Sequence, residues 1–232
     1  MTIAENIARI RANMAAAARE AGRDPKEILL VGASKMNDAA ACREAVAAGI
    51  DALGENRVQE MVQKLEQHAY DGAPLHFIGH LQRNKVKQVV GHVALIQSVG
   101  SLELLDEIEK VAAARGLVQD ILLEVNIGRE AAKSGFAPEK VLPAAEAALE
   151  RTHVRVRGLM TIPPADAQRD ANFRYFQEVQ ALYVDMNQKL FHNELEYLSM
   201  GMSGDFENAI REGATLVRIG TAIYGERDYS KK

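Results

Sequence analysis

The feature that most constrains the fold is an alternation between short apolar runs and longer amphipathic segments along the whole chain. Strands alternating with helices predict parallel strands joined by crossover helices. Eight such units in 232 residues fit an α/β fold with a single (β/α)8 TIM barrel, for which roughly 250 residues is typical. The predicted strands are 28–33, 52–54, 75–78, 94–97, 121–125, 154–159, 197–199 and 216–219, and the predicted helices are 38–48, 57–68, 83–90, 102–114, 139–150, 170–191 and 205–211.

The chain offers no break at which two domains would separate. We therefore expect one domain over residues 1–232, with an extra N-terminal helix within 1–22 and a flexible tail at 228–232. A doubly wound open sheet is the competing fold, but it usually has fewer strands, and no G-x-G-x-x-G follows the first strand.

Composition excludes several classes of protein. The 28 Lys and Arg against 32 Asp and Glu give a net charge of −4, so no broad cationic face for nucleic acid or anionic lipid is expected. The one cysteine, Cys42, cannot form an internal disulfide or a cysteine-based metal cluster, and we expect it to be a small buried residue. There is neither a signal-like start nor an 18-residue apolar stretch, so we expect a cytoplasmic protein.

Lys35 stands at the carboxyl end of the first predicted strand, the end of a barrel at which active sites lie. Desolvation there disfavours the ammonium form, and a neutral amine can form a Schiff base with an aldehyde. The alternative is a solvated lysine that extends from the strand end.

The last two strands are followed by loops that could hold a phosphate, as these loops commonly do in barrels. Ser203 lies in a glycine-containing loop that leads into a helix, and Gly220-Thr221 follows the last strand. Free N–H groups in such loops bind anions, although ordinary helix capping would explain either loop alone. Arg218 lies within the last apolar run, where a buried arginine needs a partner. A lysine, a phosphate cradle and an inward arginine together are what a pyridoxal phosphate (PLP) site requires.

Several segments that span nearly the whole chain form a recognisable set: GASK (32–35), GENRVQE (54–60), HFIGHLQRNK (76–85), EVNI (124–127) with KSG (133–135), GLM (158–160) and residues 198–227. In these segments the chain resembles the YggS/PROSC family of PLP-binding homeostasis proteins. That resemblance implies a barrel like the N-terminal domain of alanine racemase, with PLP carried as an imine on Lys35. It also implies that Arg218 faces the pyridine nitrogen, that Ser203, Gly220 and Thr221 hold the phosphate, that Asn56 lies beside the cofactor, and that Met200 and Gly201 line the pocket.

The resemblance implies a PLP carrier with no efficient catalysis. Arg218 cannot accept a hydrogen bond, so a ring nitrogen facing it stays unprotonated and the cofactor is a weaker electron sink. Racemisation would need a second acid/base group besides Lys35. The resemblance to alanine racemase implies that this group would be a tyrosine from a C-terminal β domain, and here the chain ends a few residues past the barrel. Tyr224 is the nearest substitute, although a packed aromatic is the expected role.

Two alternative functions stay open. One is a weak PLP-dependent amino-acid racemase, and the other is a Schiff-base aldolase acting on a sugar phosphate. For the carrier, apo PLP-dependent enzymes are candidate partners and a monomer is the expected state. His76 and His80 have H-x3-H spacing, but the intervening glycine keeps them off one helical face, so no metal site is predicted. Lys133 lies in a predicted loop where it could help to pass the cofactor in or out.

Overall fold

A computed structural model describes residues 1–164 and 169–225 of the chain. Arg227 and the predicted tail at 228–232 lie outside the described residues. The strands are β1 Leu29–Ala33, β2 Ala52–Glu55, β3 Leu75–Phe77, β4 Leu95–Val99, β5 Gln119–Val125, β6 Val154–Thr161, β7 Tyr197–Ser199 and β8 Leu216–Ile219. The helices are α1 Ile3–Glu20, α2 Ala39–Ala47, α3 Val58–Glu66, α4 Val86–Val89, α5 Leu102–Arg115, α6 Val141–Leu149, α7 Arg169–Leu190, α8 Phe206–Arg211 and α9 Thr221–Tyr224.

Within the described ranges, the strands form one closed barrel in chain order from β1 to β8. The closure is parallel, with Leu29 opposite Leu216 and Gly32 opposite Ile219. Because β1 pairs with both β2 and β8, the first and last strands are not open edges of the sheet. The predicted (β/α)8 barrel is therefore confirmed against the open-sheet alternative.

The predicted N-terminal helix is also present. Thr2 begins α1 with a reciprocal capping box, in which its side chain accepts from the Glu5 amide and the Glu5 side chain accepts from the Thr2 amide. The apolar stripe of α1 packs against the helices beside the β1–β8 seam, and Asn6 Nδ2 donates to the Ile223 carbonyl at 2.9 Å.

Two cores lie on the two sides of the barrel wall. The larger one fills the space between the strands and the surrounding helices. The smaller one lies inside the barrel, where alternate residues of the strands point inward, as the two-residue period of a strand requires. Its buried members are Val31, Ala52, Leu95, Leu122, Met160 and Leu216.

A bulge in β6 changes which of its residues face inward. The register with β5 shifts after Ile121 opposite Val156, so that Gly158 lies opposite Leu122. Gly158 has a φ of 151°, and a Cβ there would lie 1.7 Å from the Tyr197 carbonyl oxygen. Only glycine fits this close approach. The shift lets Met160 face the interior although Val156 packs outside it.

The helices differ from the prediction at three places. The segment predicted as one helix over 139–150 is a 3-10 turn, Pro138–Lys140, followed by α6. The segment predicted as one helix over 83–90 is a 3-10 turn, Arg83–Lys85, followed by the four-residue α4. The short helix α9 was not predicted, because four residues leave no periodic pattern to detect. In the part of the chain that the structure describes, no helix is both long and apolar enough to cross a membrane.

Candidate functional site

A cavity of about 480 Å³ opens at the carboxyl ends of the strands. Six of the eight predicted cofactor-binding residues line it, which are Lys35, Asn56, Ser203, Arg218, Gly220 and Thr221. These residues come from the ends of β1, β2, β7 and β8 and from the loops that follow them. Barrel closure brings the first and last strands together, so Lys35 and Arg218 share one cavity although 183 positions separate them (218 − 35).

The structure differs from expectation at Met200 and Gly201, which are buried behind the cavity wall. Met200 is 0% exposed and belongs to the outer core. A Cβ on Gly201 would lie 2.6 Å from the Ala209 side chain, so this glycine faces α8. The next residues, Met202 and Gly204, line the cavity in their place.

Arg218 is a buried cation, only 4% exposed. One guanidinium nitrogen donates to the Thr161 carbonyl at 2.8 Å, and the other donates to Ser199 Oγ. Burial lowers the pKa of Arg218 to about 10, against the opposing influence of Asp205 and Glu124. The guanidinium therefore stays charged at neutral pH.

From Arg218 a hydrogen-bond chain crosses the interior of the barrel. Ser199 Oγ donates to Gln97 Oε1 at 2.7 Å, and Gln97 Nε2 lies 3.0 Å from His76 Nδ1. Because a guanidinium can only donate, Ser199 must accept from it and pass its own proton toward Gln97. The Gln97 amide then donates to His76 Nδ1, so the histidine proton is on Nε2.

The loops after β7 and β8 meet at Ser203. The backbone N–H groups of Gly220 and Ala222 both point to Ser203 Oγ at 3.4 Å. These distances are long for hydrogen bonds, so both donors are weakly satisfied in the protein alone. The hydroxyl and the two N–H groups form a compact set of donors at one side of the cavity.

Glu124 is a cavity residue to which sequence reasoning assigned no role. The residue is 9% exposed, and Oε1 accepts from Ser134 Oγ at 3.1 Å. The buried Oε2 has no hydrogen-bond partner among the described residues. Burial raises the pKa of Glu124, opposed by the Ser134 hydrogen bond and by the charges of His80 and Arg218. A signal for it was present, because Glu124 is two positions after the inward Leu122 and shares its face of β5.

Other predicted candidates are placed elsewhere or in other roles. The Tyr224 hydroxyl is buried next to Gly32 and is not part of the cavity lining. Cys42 is fully buried, as predicted. His80 and Lys133 both line the cavity. Among residues 1–164 and 169–225, no group of three or more His, Cys, Asp or Glu side chains could hold a metal ion.

Comparisons with known proteins identify the family and agree with the fold. The family model for the alanine racemase N-terminal domain matches residues 6–228. A pyridoxal phosphate homeostasis protein of Aquifex aeolicus is 43% identical over 229 residues, covering 99% of this chain and 100% of that protein. The structure of PipY from Synechococcus elongatus, solved with PLP bound, has a TM-score of 0.84 and 31% identity, and the match covers 97% and 100% of the two chains.

The fold and the residue types around the cavity define a barrel of the alanine racemase type, and the chain belongs to the alanine racemase N-terminal domain family. Within that family, its resemblance to the pyridoxal phosphate homeostasis proteins is confirmed by relatives that match over their full length. An alanine racemase of Clostridium difficile has a TM-score of 0.69 at 18% identity, and the match covers 94% of this chain and 56% of that one. At that identity the likeness concerns the fold alone.

The buried His76 predicts a loss of stability in acid. Burial lowers the pKa of His76 from 6.5 to about 4, so between these values the unfolded chain binds a proton that the folded protein does not. The stabilisation is complete above pH 6.5 and is lost as the pH falls. Between pH 7 and pH 5, we expect the unfolding free energy of the wild type to fall by about 2 kcal/mol more than that of His76→Gln.

Urea unfolding at the two pH values measures this difference. The matched control is His92→Gln, at an exposed position, which should keep the wild-type pH dependence. If His76→Gln also keeps it, the acid sensitivity comes from another group.

Proposed function

We propose that this protein carries PLP on Lys35 and takes part in intracellular PLP homeostasis without efficient catalysis. The observation that carries the proposal is one cavity lined by Lys35, Arg218 and the Ser203 loop. In PLP, the aldehyde needs a primary amine, the pyridine ring can be held by a fixed cation, and the phosphate needs a set of convergent hydrogen-bond donors.

The residues present fit the cofactor. A cavity of about 480 Å³ is in the usual range for small-molecule sites, roughly 300–1,000 Å³. Ser203 Oγ and the weakly satisfied N–H groups of Gly220 and Ala222 suit a phosphate. Asn56 also lines the cavity, and its buried Oδ1 has no hydrogen-bond partner within residues 1–164 and 169–225. An amide with an unused polar atom can bond a ring substituent.

When bound, PLP supplies an aldehyde for a reversible covalent bond and a ring that can withdraw electrons. Lys35 Nζ would be the group that holds the cofactor through this aldehyde. Arg218 has only N–H donors, so a ring nitrogen against it stays unprotonated. The arginine would thus hold the ring in place and keep its electron withdrawal weak, which suits storage and release.

The known relatives support the same proposal. PipY was solved with PLP bound, and the Aquifex aeolicus relative is named for pyridoxal phosphate homeostasis. We propose a monomer that acts in the cytoplasm and exchanges PLP with apo PLP-dependent enzymes.

Borohydride reduction tests the covalent link. Reduction of the protein incubated with PLP should fix one pyridoxyl group, and peptide mass mapping should place it on Lys35. Lys35→Ala should lose the label because it removes the amine that lines the cavity at the end of β1. Lys110→Ala, on the exposed face of α5, is the matched control and should keep the label. A label on Lys133, the other cavity lysine, would contradict the assignment.

The phosphate assignment predicts a selective loss of affinity in Ser203→Ala. Removing one hydrogen bond to a charged group should weaken PLP binding by about 1–3 kcal/mol. Pyridoxal, which lacks the phosphate, should bind wild type and variant equally well, as measured by absorbance titration. Equal weakening for both compounds would place Ser203 away from the phosphate.

A second candidate function is slow racemisation of an amino acid, and Glu124 is the observation that favours it. Its buried carboxyl lines the same cavity as Lys35, and burial raises its pKa. The two groups could therefore exchange protons with one ligand.

One incubation separates the carrier from the racemase. We expect the PLP-loaded protein to restore the activity of an apo PLP-dependent enzyme while a scavenger removes free PLP. We also expect no racemised alanine to accumulate. Racemisation that is lost in Glu124→Gln, without any transfer of PLP, would support the second candidate.

A further inference from the structure

A buried ion cluster lies beneath the turn that carries Lys35. Lys64, on α3, is 5% exposed. Its ammonium lies 2.7 Å from Glu55 Oε1 and 2.7 Å from Glu60 Oε1. Glu55 is 0% exposed, and its Oε1 also accepts from Ser34 Oγ at 2.6 Å. Buried charges persist only when they are paired in this way.

The cluster holds the backbone on both sides of Lys35. Lys64 Nζ donates to the Ser34 carbonyl at 2.9 Å, and the Met36 amide donates to Glu60 Oε1 at 2.5 Å. Glu60 and Lys64 are four residues apart on one helix and bind each other. The peptide groups before and after the lysine are therefore tied to a single rigid element.

The turn itself needs such a restraint. The Asn37 amide donates to the Ser34 carbonyl at 3.0 Å, closing a four-residue turn over Lys35 and Met36. Met36 has a φ of 64°, a left-handed conformation that costs a non-glycine residue free energy. The Glu60 carboxylate accepts from the amide of this residue, and a charge-assisted hydrogen bond of this kind offsets part of such a cost.

We propose that Glu60, held in place by Lys64, is a positioning residue that fixes the turn around Lys35 and so directs the lysine amine into the cavity. The inference rests on the proposed function, since positioning matters only if Lys35 binds an aldehyde. Lys64 is the supporting cation, because it fixes the carboxylate of Glu60 and the carbonyl of Ser34 together.

Glu60→Ala is the informative variant. It removes the acceptor of the Met36 amide, while Lys64 keeps its contacts with Glu55 and Ser34. A change at Lys64 would instead leave the fully buried Glu55 without its cation and could prevent folding. The matched control is Glu66→Ala, which removes the same charge at the exposed end of α3. Glu60→Gln tests rescue, because its amide oxygen can still accept from Met36.

The first measurement uses the protein without cofactor. Amide hydrogen exchange at Met36, followed by NMR, should be at least about tenfold faster in Glu60→Ala, the change expected from losing one hydrogen bond to a charged group. Exchange in the interior of β1 should not change, which separates a local release from a global loss of stability. Glu66→Ala should match the wild type, and Glu60→Gln should stay within about threefold of it.

The second measurement uses the PLP-loaded protein. Release of PLP to a scavenging apoenzyme should be about tenfold faster in Glu60→Ala than in Glu66→Ala, and a smaller fraction of Lys35 should be labelled by borohydride. Wild-type exchange at Met36, or faster exchange with unchanged release and labelling, would overturn the proposal. If wild-type Lys35 takes no label at all, the proposed function itself fails, whereas the exchange result still tests the clamp on the turn.

Discussion

The guanidinium of Arg218 is the charge that organises the polar interior of the barrel. It is 4% exposed and cannot lose its proton at neutral pH, so every contact around it must accept a hydrogen bond. The Thr161 carbonyl and Ser199 meet that requirement directly. Ser199 in turn donates to Gln97, and Gln97 donates to His76 Nδ1. Because that nitrogen accepts a hydrogen bond, the histidine is neutral.

Two buried cations thus support the cavity from different places. Arg218 lies inside the barrel and lines the cavity, whereas the Lys64 ammonium lies behind the wall and binds the Ser34 carbonyl and the carboxylates of Glu55 and Glu60. Arg218 lines the cavity and can therefore contact a ligand. Lys64 lies behind the wall and can act only by holding the turn that carries Lys35. Both depend on neighbouring strands and helices that are distant in the chain, because α3 and β8 meet the end of β1 only in the closed barrel.

Sequence patterns predicted the strand order and most of the residues that line the cavity, because the ends of apolar runs mark the ends of the strands. Lys35 was predicted as a site residue because it stands at the end of an apolar run, and Arg218 because it stands within one. Glu124 was passed over, although its alternation with Leu122 points it inward. The family resemblance implied that Gly201 lines the pocket, and the structure places it with a φ of 91° and facing α8. The sequence does not state a single backbone angle of this kind.

The amino-acid sequence by itself determined the alternation of strands and helices, the family, and which residue types stand at the strand ends. Only the tertiary structure decided which partners those residues meet. Glu55, Glu60 and Lys64 are an ordinary charged pattern in the sequence, yet in the fold Lys64 and Glu60 bind the backbone on the two sides of Lys35. Glu55 pairs with Lys64 and accepts from Ser34 Oγ. The reason is physical, since the strength of a charged contact depends on burial and distance, and both are set when the barrel closes.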